Sequence, residues 1–503
     1  MLLSIFMERI HESKEDGFIE CKPIASIVTP LGEGGIGKVI VSGPDALSVV
    51  NKVFQGKGID DLRKAMSYKL YYGYIFDGGQ RIDEVIVNIA KKGDSFTGED
   101  VVEVNCHGGI RVLMRIHECL QFAGAKGAAW DALLLQSYEN NKMDFIRKEA
   151  LLEVVRARTR FGVKVLLDQN AGALSEALKK GLEIIEKIRQ ALHKGSSRHE
   201  TIPYTEQHKG EGKSPLIPPC KNGISNIPPL KKWCKGGFSD ETSVLISALS
   251  EHIESLLETA SLGMALTSPQ VLVILGKPNV GKSTIINTIL GEERMIVHHE
   301  PGTTRDYVSE LISIEGIPFE LVDTAGMRDT SDKLEALSIE LTLEQVHRSD
   351  KVIAVFDNSR PFDQEDEGIL NTLNSWLKTG NFDNLSQKGD MKAIIPVINK
   401  CDLPTKLNRL RIESALQQSA CCISAVNSNE FEELHRRLTE EFDTVYKPMK
   451  PILFNRRQYL LMTQADILIK QDAECLIAKG GTSKALQIIN ELKDIFTSCL
   501  KGH

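Results

Sequence analysis

The sequence predicts an α/β domain with a doubly wound, mostly parallel sheet, inserted in an α-helical domain and preceded by an α+β domain. Three observations lead to this fold class. Short apolar runs alternate with helical patterns from Val271 to about Glu441, an order typical of parallel sheets. Helical spacing of apolar residues precedes and follows that region. Before Lys126, strand patterns are separated by glycine-containing turns.

Length, charge and cysteine usage limit the class of protein further. A chain of 503 residues is too long for a single core, and its net charge of −7 gives no general attraction for nucleic acid. No apolar run approaches the ~20 residues that a membrane span needs, and residues 1–22, taken as an N-terminal extension, lack the pattern of a targeting peptide. The ten cysteines include no C-x-x-C pair. We therefore expect a cytoplasmic protein with reduced thiols and no membrane association.

The N-terminal α+β domain is expected to span residues 23–126. Glycines 78 and 79 should form a hairpin. The glycine-rich segment 32–37 is not a dinucleotide fingerprint, because no helix opens at its end; we predict a turn, with a small-ligand loop as the alternative. Strands are predicted at residues 24–28, 38–42, 68–76, 81–89 and 101–106, and helices at 45–54 and 110–122.

The helical domain is expected in two parts, residues 127–265 and 442–503. Helical spacing runs over 128–192 and resumes at 242–262, and two more helical stretches follow residue 451, split by Gly480 and Gly481. Some fifty residues of helix cannot bury a core alone, so the last two should pack on the earlier helices. The segment 195–237, rich in Pro, Gly and basic residues, is an irregular insertion. It is predicted to be a loosely folded loop, or alternatively an arm that contacts RNA.

The central α/β domain, residues 266–441, begins with a phosphate-binding motif. The sequence GKPNVGKS, residues 276–283, follows the strand predicted at 271–275 and precedes a helix predicted at 284–290. In this context the glycines let backbone N–H groups point at phosphate oxygens, and the helix presents its positive end. Lys282 is expected to reach the β- and γ-phosphates and Ser283 to ligate Mg²⁺. The nucleotide-binding residues predicted here are Asn279, Val280, Gly281, Lys282, Ser283 and Thr284.

Two motifs that follow are typical of γ-phosphate sensing. Residues 302–306 read GTTRD, and Thr304 is expected to ligate Mg²⁺ beside Thr303. Residues 323–326 read DTAG at the end of the strand predicted at 318–322. Asp323 is expected to hold the Mg²⁺ shell and the Gly326 N–H to face the γ-phosphate, with Thr324 and Ala325 lining the nucleotide.

Two later motifs predict selectivity for guanine. Residues 399–402 read NKCD after the strand predicted at 393–398. The carboxylate of Asp402 can accept hydrogen bonds from guanine N1 and its exocyclic amine, which adenine cannot offer. Asn399 and Lys400 belong to the same motif, and Ser424 and Ala425 follow the next strand, where a backbone N–H can contact the guanine oxygen. All these motifs in order, each at a strand end, predict binding of GTP.

The residues that would catalyse hydrolysis are less evident from these motifs. Met327 follows Gly326, where other GTPases carry a glutamine that orients water. A thioether cannot position water, so another group must do so. Arg305 and Arg328 are candidates for a transition-state cation, although solvated arginines are the simpler interpretation.

Over nearly its whole length the chain resembles the MnmE (TrmE) family of tRNA-modifying GTPases. Besides the nucleotide motifs, the similarity includes Thr29-Pro30 with residues 32–37, Ser42-Gly43-Pro44, the segment SFTGEDVVE at 95–103 and His107-Gly108-Gly109. The resemblance implies a three-domain subunit that forms a homodimer through its N-terminal domain. It also implies a bound tetrahydrofolate derivative, contacted by Glu103 and Lys142. Where that family has a folate-binding arginine, this chain has Ile40.

The resemblance also implies roles for residues that the motifs leave open. Potassium would take the place of an arginine finger, held by Asn279, His298, Glu300 and Thr303, with His298 and Thr303 also near the nucleotide. Glu335, twelve residues past Asp323, matches the family's water-orienting glutamate. Cys499, near an end of the chain that we expect to fray, matches the family's C-terminal cysteine, although the residues after it differ.

The reaction implied by the resemblance adds a carboxymethylaminomethyl or aminomethyl group to C5 of the wobble uridine of tRNA. The partner in that reaction is the FAD-containing protein MnmG. Two alternatives stay open at this point. A GTP-driven switch or scaffold could have lost the folate chemistry, and an Era-like ribosome-assembly GTPase would explain the nucleotide domain but not residues 24–122.

Overall fold

Helices and strands follow the predicted order in the computed structural model, which describes residues 22–197, 240–293, 309–322, 346, 348–379, 393–427, 430–477 and 482–502. The chain forms two compact units that divide between Lys148 and Glu149. Within the described residues, no helix is both long and apolar enough to cross a membrane.

The first unit is built on a seven-stranded sheet with the order β3-β4-β5-β6-β2-β1-β7, antiparallel except for the β1–β7 pair. Its strands are β1 Ile24–Ile27, β2 Gly34–Ser42, β3 Phe54–Gly56, β4 Leu70–Asp77, β5 Gln80–Ala90, β6 Val101–Gly108 and β7 Lys126–Gly127. Its helices are α1 Ala46–Asn51, α2 Ile110–Phe122 and α3 Ala132–Glu139, and α4 Phe145–Arg156 follows across the division. The predicted hairpin is confirmed: Gly78 and Gly79 have φ of 54° and 88° and join β4 to β5, as a type I′ turn requires.

The prediction of a turn at residues 32–37 is wrong for its second half. Residues 34–37 are the first part of β2 and pair with β6 across a β-bulge between Gly34 and Gly37. A Cβ on Gly37 would lie 2.7 Å from Leu113, and one on Gly108 would lie 2.4 Å from the Gly34 carbonyl oxygen. The glycines therefore serve close packing of β2 against β6 and α2 rather than a change of chain direction.

Helix α1 is shorter than predicted, because Phe54 begins β3 instead of ending the helix. In the second unit, α4 is followed by four helices: α5 Arg160–Ala171, α6 Ala173–Ser197, α7 Asp240–Leu257 and α8 Ala260–Thr267. The single helix predicted at 242–262 is thus two helices. Thr259 lies at the break, where its hydroxyl donates to the Leu256 carbonyl and accepts from the N–H of Leu453. Such side-chain bonds to the backbone compete with continued helix.

A six-stranded sheet forms the centre of the second unit, with the order β13-β12-β11-β8-β10-β9. All pairs are parallel except β9–β10, which confirms the predicted mostly parallel sheet. The strands are β8 Gln270–Gly276, β9 Ser309–Ile314, β10 Ile317–Val322, β11 Lys351–Asp357, β12 Ala393–Asn399 and β13 Cys421–Cys422. The helices around them are α9 Lys282–Glu293, α10 Gln364–Thr379, α11 Arg409–Leu416 and α12 Glu432–Thr439.

Apolar side chains cover both faces of this sheet. Alternate residues of β11 point to opposite faces: Ile353 and Val355 pack in the core on one face, and Val352, Ala354 and Phe356 pack in the core on the other. From β8 the chain passes to β9 and β10 on one side of that strand, and then to β11 on its other side. In open α/β sheets, ligands bind at such a reversal, beyond the carboxyl ends of the strands.

Helices α13 Arg456–Ile477 and α14 Thr482–Lys501 end the chain. They pack on each other, and α14 packs on α6 while α13 packs on α7. Gly181 permits close packing of α6 on α14, since a Cβ there would lie 2.2 Å from the ring of Phe496. The last two helices therefore contact the earlier helices directly.

Candidate nucleotide-binding site

The phosphate-binding loop joins β8 to α9 at the reversal point of the sheet. Asn279 and Gly281 have φ of 63° and 101°, and this left-handed backbone turns the loop. A Cβ on Gly281 would lie 2.1 Å from Nδ2 of Asn399, so only glycine fits there. Lys282 Nζ lies 2.8 Å from the carbonyl oxygens of Gly276 and Lys277. Its ammonium therefore lies beside the loop backbone, next to the N-terminus of α9.

A buried ion pair that sequence reasoning missed anchors this loop. Lys277 Nζ lies 2.7 Å from Asp363 and 2.8 Å from Asp366, and the side chains of Lys277 and Asp366 are only 9% and 4% exposed. Burial disfavours the ammonium, but hydrogen bonds to the two carboxylates outweigh it and raise the pKa of Lys277. The pair ties the loop to the start of α10. In the sequence, Lys277 is simply a charged residue in a loop. Nothing near it indicates an ion pair, because its partners lie more than 80 positions later in the chain.

Asn399 connects the phosphate loop to the loop after β13. Its Nδ2 donates to the Val280 carbonyl at 2.8 Å, and its Oδ1 accepts from the Ala425 N–H at 2.9 Å. Thr288 of α9 also donates to the Ala425 carbonyl, at 2.9 Å. Three chain segments predicted to contact the nucleotide are thus joined by one buried amide.

Lys400 makes a second connection to the phosphate loop. Its Nζ donates to the Asn279 carbonyl at 2.8 Å and to Asp357 Oδ2 at 2.7 Å. Burial disfavours the charge of Asp357, but hydrogen bonds from Lys400 and Ser359 outweigh it and lower the pKa of this carboxyl. Asp357, at the end of β11, is a positioning residue that the sequence did not indicate.

The carboxylate predicted to select guanine is exposed and oriented by its neighbour. Asp402 is exposed, and its Oδ1 accepts from the Ser424 hydroxyl at 2.7 Å. The Ser424 N–H in turn donates to Glu430 at 2.6 Å. An ionised carboxylate at this edge can accept from a base that presents two N–H donors, as guanine does.

Ser283 and Thr284 are exposed in the first turn of α9. A serine hydroxyl there has the oxygen chemistry that Mg²⁺ prefers and lies one residue from Lys282, so this part of the chain fits the ion. Strand β10 ends at Val322, immediately before Asp323. The other predicted residues lie outside the described residues: His298, Glu300, Thr303, Thr304, Asp323, Thr324, Ala325, Gly326 and Glu335.

In the first unit, the predicted folate contacts have different partners. Glu103 of β6 accepts from Lys38 Nζ at 2.8 Å, whereas Lys142 Nζ donates to the Gly93 carbonyl at 3.2 Å. Ile40 lies opposite Glu103 in the β2–β6 register. It is 6% exposed and packs in a small apolar cluster with Val101 and Leu133. An apolar side chain therefore occupies the position where the resemblance implied an arginine.

Cys499 lies in an ordered helical turn, so the expectation of a frayed end is wrong for residues 498–502. Gly502, with φ of 75°, ends the turn with a hydrogen bond to the Ser498 carbonyl, as a C-terminal glycine cap does. Arg457 donates to the carbonyls of Ser498 and Cys499, both at 3.1 Å, and pairs with Glu149. The thiol is fully buried, and burial raises its pKa to about 12.

Comparison with known proteins identifies the family. Residues 23–142 match the family model described as the GTP-binding protein TrmE N-terminus, and residues 271–400 match that of the 50S ribosome-binding GTPases. The first match accounts for the N-terminal region that an Era-like GTPase would leave unexplained.

Curated relatives extend the similarity over most of the chain. The tRNA modification GTPase MnmE of Lactiplantibacillus plantarum is 30% identical over 93% of this chain and 92% of its own length. The same-named proteins of Geobacter sulfurreducens and Carboxydothermus hydrogenoformans are 34% and 36% identical, over 76% and 70% of this chain and 73% and 70% of their own lengths. The chain belongs to the MnmE family of tRNA modification GTPases.

Proposed function

We propose that the chain hydrolyses GTP to drive modification of the wobble uridine of tRNA. The reaction adds a carboxymethylaminomethyl or aminomethyl group at C5, together with the FAD-dependent protein MnmG. The observation that carries this proposal is the joined nucleotide edge, where Asn399 binds both the phosphate loop and the loop of Ala425. This edge occurs in a chain similar to an MnmE protein over more than nine-tenths of both lengths.

Each part of the nucleotide edge has a distinct task. The N–H groups of the phosphate loop and α9 receive the phosphates, Lys282 balances their charge, and Asp402 selects guanine. Ser283 and Thr304 would hold Mg²⁺, which supplies charge stabilisation at the phosphates when bound. Glu335 orients the attacking water, and Asp323 and Gly326 respond to the γ-phosphate.

Asn279, His298, Glu300 and Thr303 would hold a potassium ion, which would supply the remaining positive charge when bound. Asn279 belongs to the loop that would hold the phosphates, so a cation beside it would lie where negative charge develops. GTP turnover should rise when K⁺ replaces Na⁺ at equal ionic strength, and Asn279→Ala should remove the difference. Equal rates of the parent in the two salts would refute this part.

We further propose the domain limits 23–126, 127–265, 266–441 and 442–503, with the GTPase domain inserted in the helical domain. The packing of α13 and α14 on α6 and α7 supports the insertion.

In this proposal, the N-terminal domain forms a homodimer. Its sheet exposes Leu70 and Ile86, which are 64% and 44% accessible on adjacent strands, an apolar surface suited to a second copy. Light scattering of the parent and of Leu70→Glu tests the dimer.

The second candidate function, a GTP-driven switch or scaffold without folate chemistry, is favoured by two observations. Ile40 fills the expected arginine position with buried apolar surface, and the Cys499 thiol is fully buried. Reactive thiols are usually partly exposed. If Cys499 takes part in modification, Cys499→Ser should abolish wobble modification in cells and spare GTP hydrolysis.

The decisive experiment expresses the chain, with its cognate MnmG, in a bacterium that lacks its own MnmE protein. Mass spectrometry of the tRNA nucleosides then measures C5-modified wobble uridine. Restored modification that is lost in Lys282→Ala, but not in the exposed-surface variant Arg436→Ala, supports the proposal. Unmodified uridine with GTP hydrolysis intact would favour the scaffold.

A further inference from the structure

Two cysteines from different chain segments meet beside the proposed guanine pocket. Cys401 lies between Lys400 and Asp402, and Cys422 lies in β13, where it is the register partner of Ile398. Cys401 Sγ donates to the Ile398 carbonyl at 3.3 Å, and its backbone N–H donates to the Ile423 carbonyl at 3.1 Å. The Ile398 carbonyl also accepts from the N–H of Ile423, at 2.9 Å. The nucleotide motif and the neighbouring strand therefore place the two cysteines next to each other.

The surroundings of the pair are those of reactive rather than structural cysteines. Cys422 is exposed and Cys401 is partly exposed, whereas the adjacent Cys421 is buried. The guanidinium of Arg409 lies 3.3 Å from Cys422 Sγ and is held in place by Glu413 at 2.7 Å. Accessible cysteines beside a fixed cation are the ones that oxidants attack.

We propose that Cys401 and Cys422 are an oxidation-sensitive pair whose disulfide weakens guanine-nucleotide binding. Peroxide is the oxidant. Cys422 loses its proton and its sulfur attacks one peroxide oxygen, which forms a sulfenic acid and releases water. Cys401 then attacks the sulfenic sulfur, which forms the disulfide and releases a second water. Each peroxide thus oxidises two thiols to one disulfide, and an added dithiol reverses the reaction.

The two thiols have different roles in this sequence. Burial, with the neighbouring Cys422 thiol, raises the pKa of Cys401 to about 11. Cys401 is therefore the poorer nucleophile toward peroxide, and the more accessible Cys422 reacts first. In the second step Cys401 gives its proton to the departing hydroxide as its sulfur attacks the sulfenic sulfur. In a reducing compartment such a disulfide would be transient, as regulatory disulfides are.

Oxidation should change the proposed guanine pocket because Cys401 lies in the chain between Lys400 and Asp402, two residues of that pocket. A disulfide draws the sulfurs to about 2.05 Å, much closer than two thiols approach each other without a bond. Cys401 must then give up its bond to the Ile398 carbonyl. The backbone that holds Lys400 against Asn279 and Asp357 shifts with it. Nucleotide binding and disulfide formation are thus coupled. If the disulfide weakens nucleotide binding, bound nucleotide should disfavour formation of the disulfide and slow the oxidation.

The test compares the full chain before and after peroxide, with a fluorescent GDP analogue as the probe. Fragmentation mass spectrometry should locate a disulfide between peptides 401–406 and 412–436, at Cys422 rather than Cys421. The affinity for the analogue should fall by at least about fivefold, the lower end of ordinary coupling between linked sites, and recover with dithiothreitol. Cys422→Ser should bind the analogue as the reduced parent does and lose the response, while Cys421→Ala should keep it.

Absence of the disulfide, or a disulfide without loss of affinity, would overturn the proposal. The effect on affinity rests on the proposed guanine pocket, whereas the mapping of the disulfide does not. Asp402→Asn in the reduced protein separates the two. If this variant binds the analogue like the parent, the pocket assignment fails even where the disulfide is found. If it binds weakly and peroxide has no effect on the parent, only the oxidation site fails.

Discussion

The nucleotide edge of the second unit and the sheet face around Glu103 in the first unit hold their polar side chains in different ways. At the nucleotide edge, Asn399 and Lys400 bond to backbone atoms of neighbouring loops. In the first unit, Glu103 is held by one side chain, Lys38. Backbone partners are present whatever residue supplies them, so these bonds of Asn399 and Lys400 tolerate a change of the partner residue. The contact of Glu103 depends on one side chain, and a single substitution removes it.

The largest expected effect concerns hydrolysis at the nucleotide edge. Glu335→Ala should lower GTP turnover by ~10²–10⁴-fold, the usual contribution of a positioned acid–base group, because Met327 cannot orient water. GTP affinity should be nearly unchanged, since Glu335 is proposed to contact water rather than the nucleotide. Single-turnover hydrolysis and equilibrium binding measure the two quantities. Asp332→Ala, three residues earlier, is the control, and parental turnover in Glu335→Ala would remove the assigned role.

The next effect tests whether the phosphate loop depends on its buried ion pair. Lys277→Met should lower the free energy of unfolding of the GTPase domain by about 3–5 kcal/mol, because the buried side chain of Asp366 loses its cation. Arg436→Ala removes an exposed pair with Glu433, 58% and 45% accessible, and should have little effect on stability. Urea unfolding followed through the buried Trp376, with the other two tryptophans replaced by phenylalanine, measures both. Equal costs would show that the Lys277 pair is not a structural anchor.

The residues of this pair also show where sequence reasoning stops. Motif order placed Asn279, Lys282, Asn399, Asp402 and Ser424 correctly at one sheet edge, because parallel strands bring their carboxyl ends together. No local pattern links Lys277 to Asp366 or Lys400 to Asp357, since each pair joins segments far apart in the chain. Such partners become visible only once the strands are assembled.

In the first unit, the glycine-rich segment did give a local pattern, but that pattern fits two different structures. Glycine-rich sequence suits both a turn and a crowded strand, and residues 34–37 were predicted as the former. The space available decides, and Leu113 and Gly34 fill the positions that a Cβ would need at Gly37 and Gly108. The break at Thr259 has a similar origin, because the hydrogen-bond partner that stabilises it, Leu453, is almost 200 residues later.

Guanine selectivity is the third test. Asp402→Asn replaces one carboxylate oxygen by a donor that faces the donors of guanine. GTP binding should weaken by ~1.5–3 kcal/mol, the cost of losing a charged acceptor, and xanthosine nucleotides should gain affinity. Calorimetry of the parent and of Asp402→Asn measures the affinity of each for GTP and for xanthosine triphosphate. If the variant binds GTP as tightly as the parent, Asp402 does not read the base.

The smallest effect is expected for binding of a folate to the sheet face around Glu103 in the first unit. Ile40→Arg should tighten binding of 5-formyltetrahydrofolate, because a guanidinium beside Glu103 and Lys38 can pair with a carboxylate of the ligand. A charge-assisted hydrogen bond contributes ~1.5–3 kcal/mol, but the cation must replace apolar surface that is 94% buried against Val101 and Leu133, since Ile40 is only 6% exposed. The net gain should therefore be about tenfold or less.

Calorimetry with the parent, Ile40→Arg and Phe122→Arg measures this gain. Phe122→Arg is the matched control, because it adds the same charge at an accessible position of the same unit, where Phe122 is 84% exposed. Tighter binding in Ile40→Arg alone would show that this face keeps a folate site weakened by one side chain. If neither the parent nor Ile40→Arg binds the ligand at millimolar concentration while GTP hydrolysis is intact, the face has lost more than one contact. The nucleotide edge would then serve a switch rather than a folate-dependent enzyme.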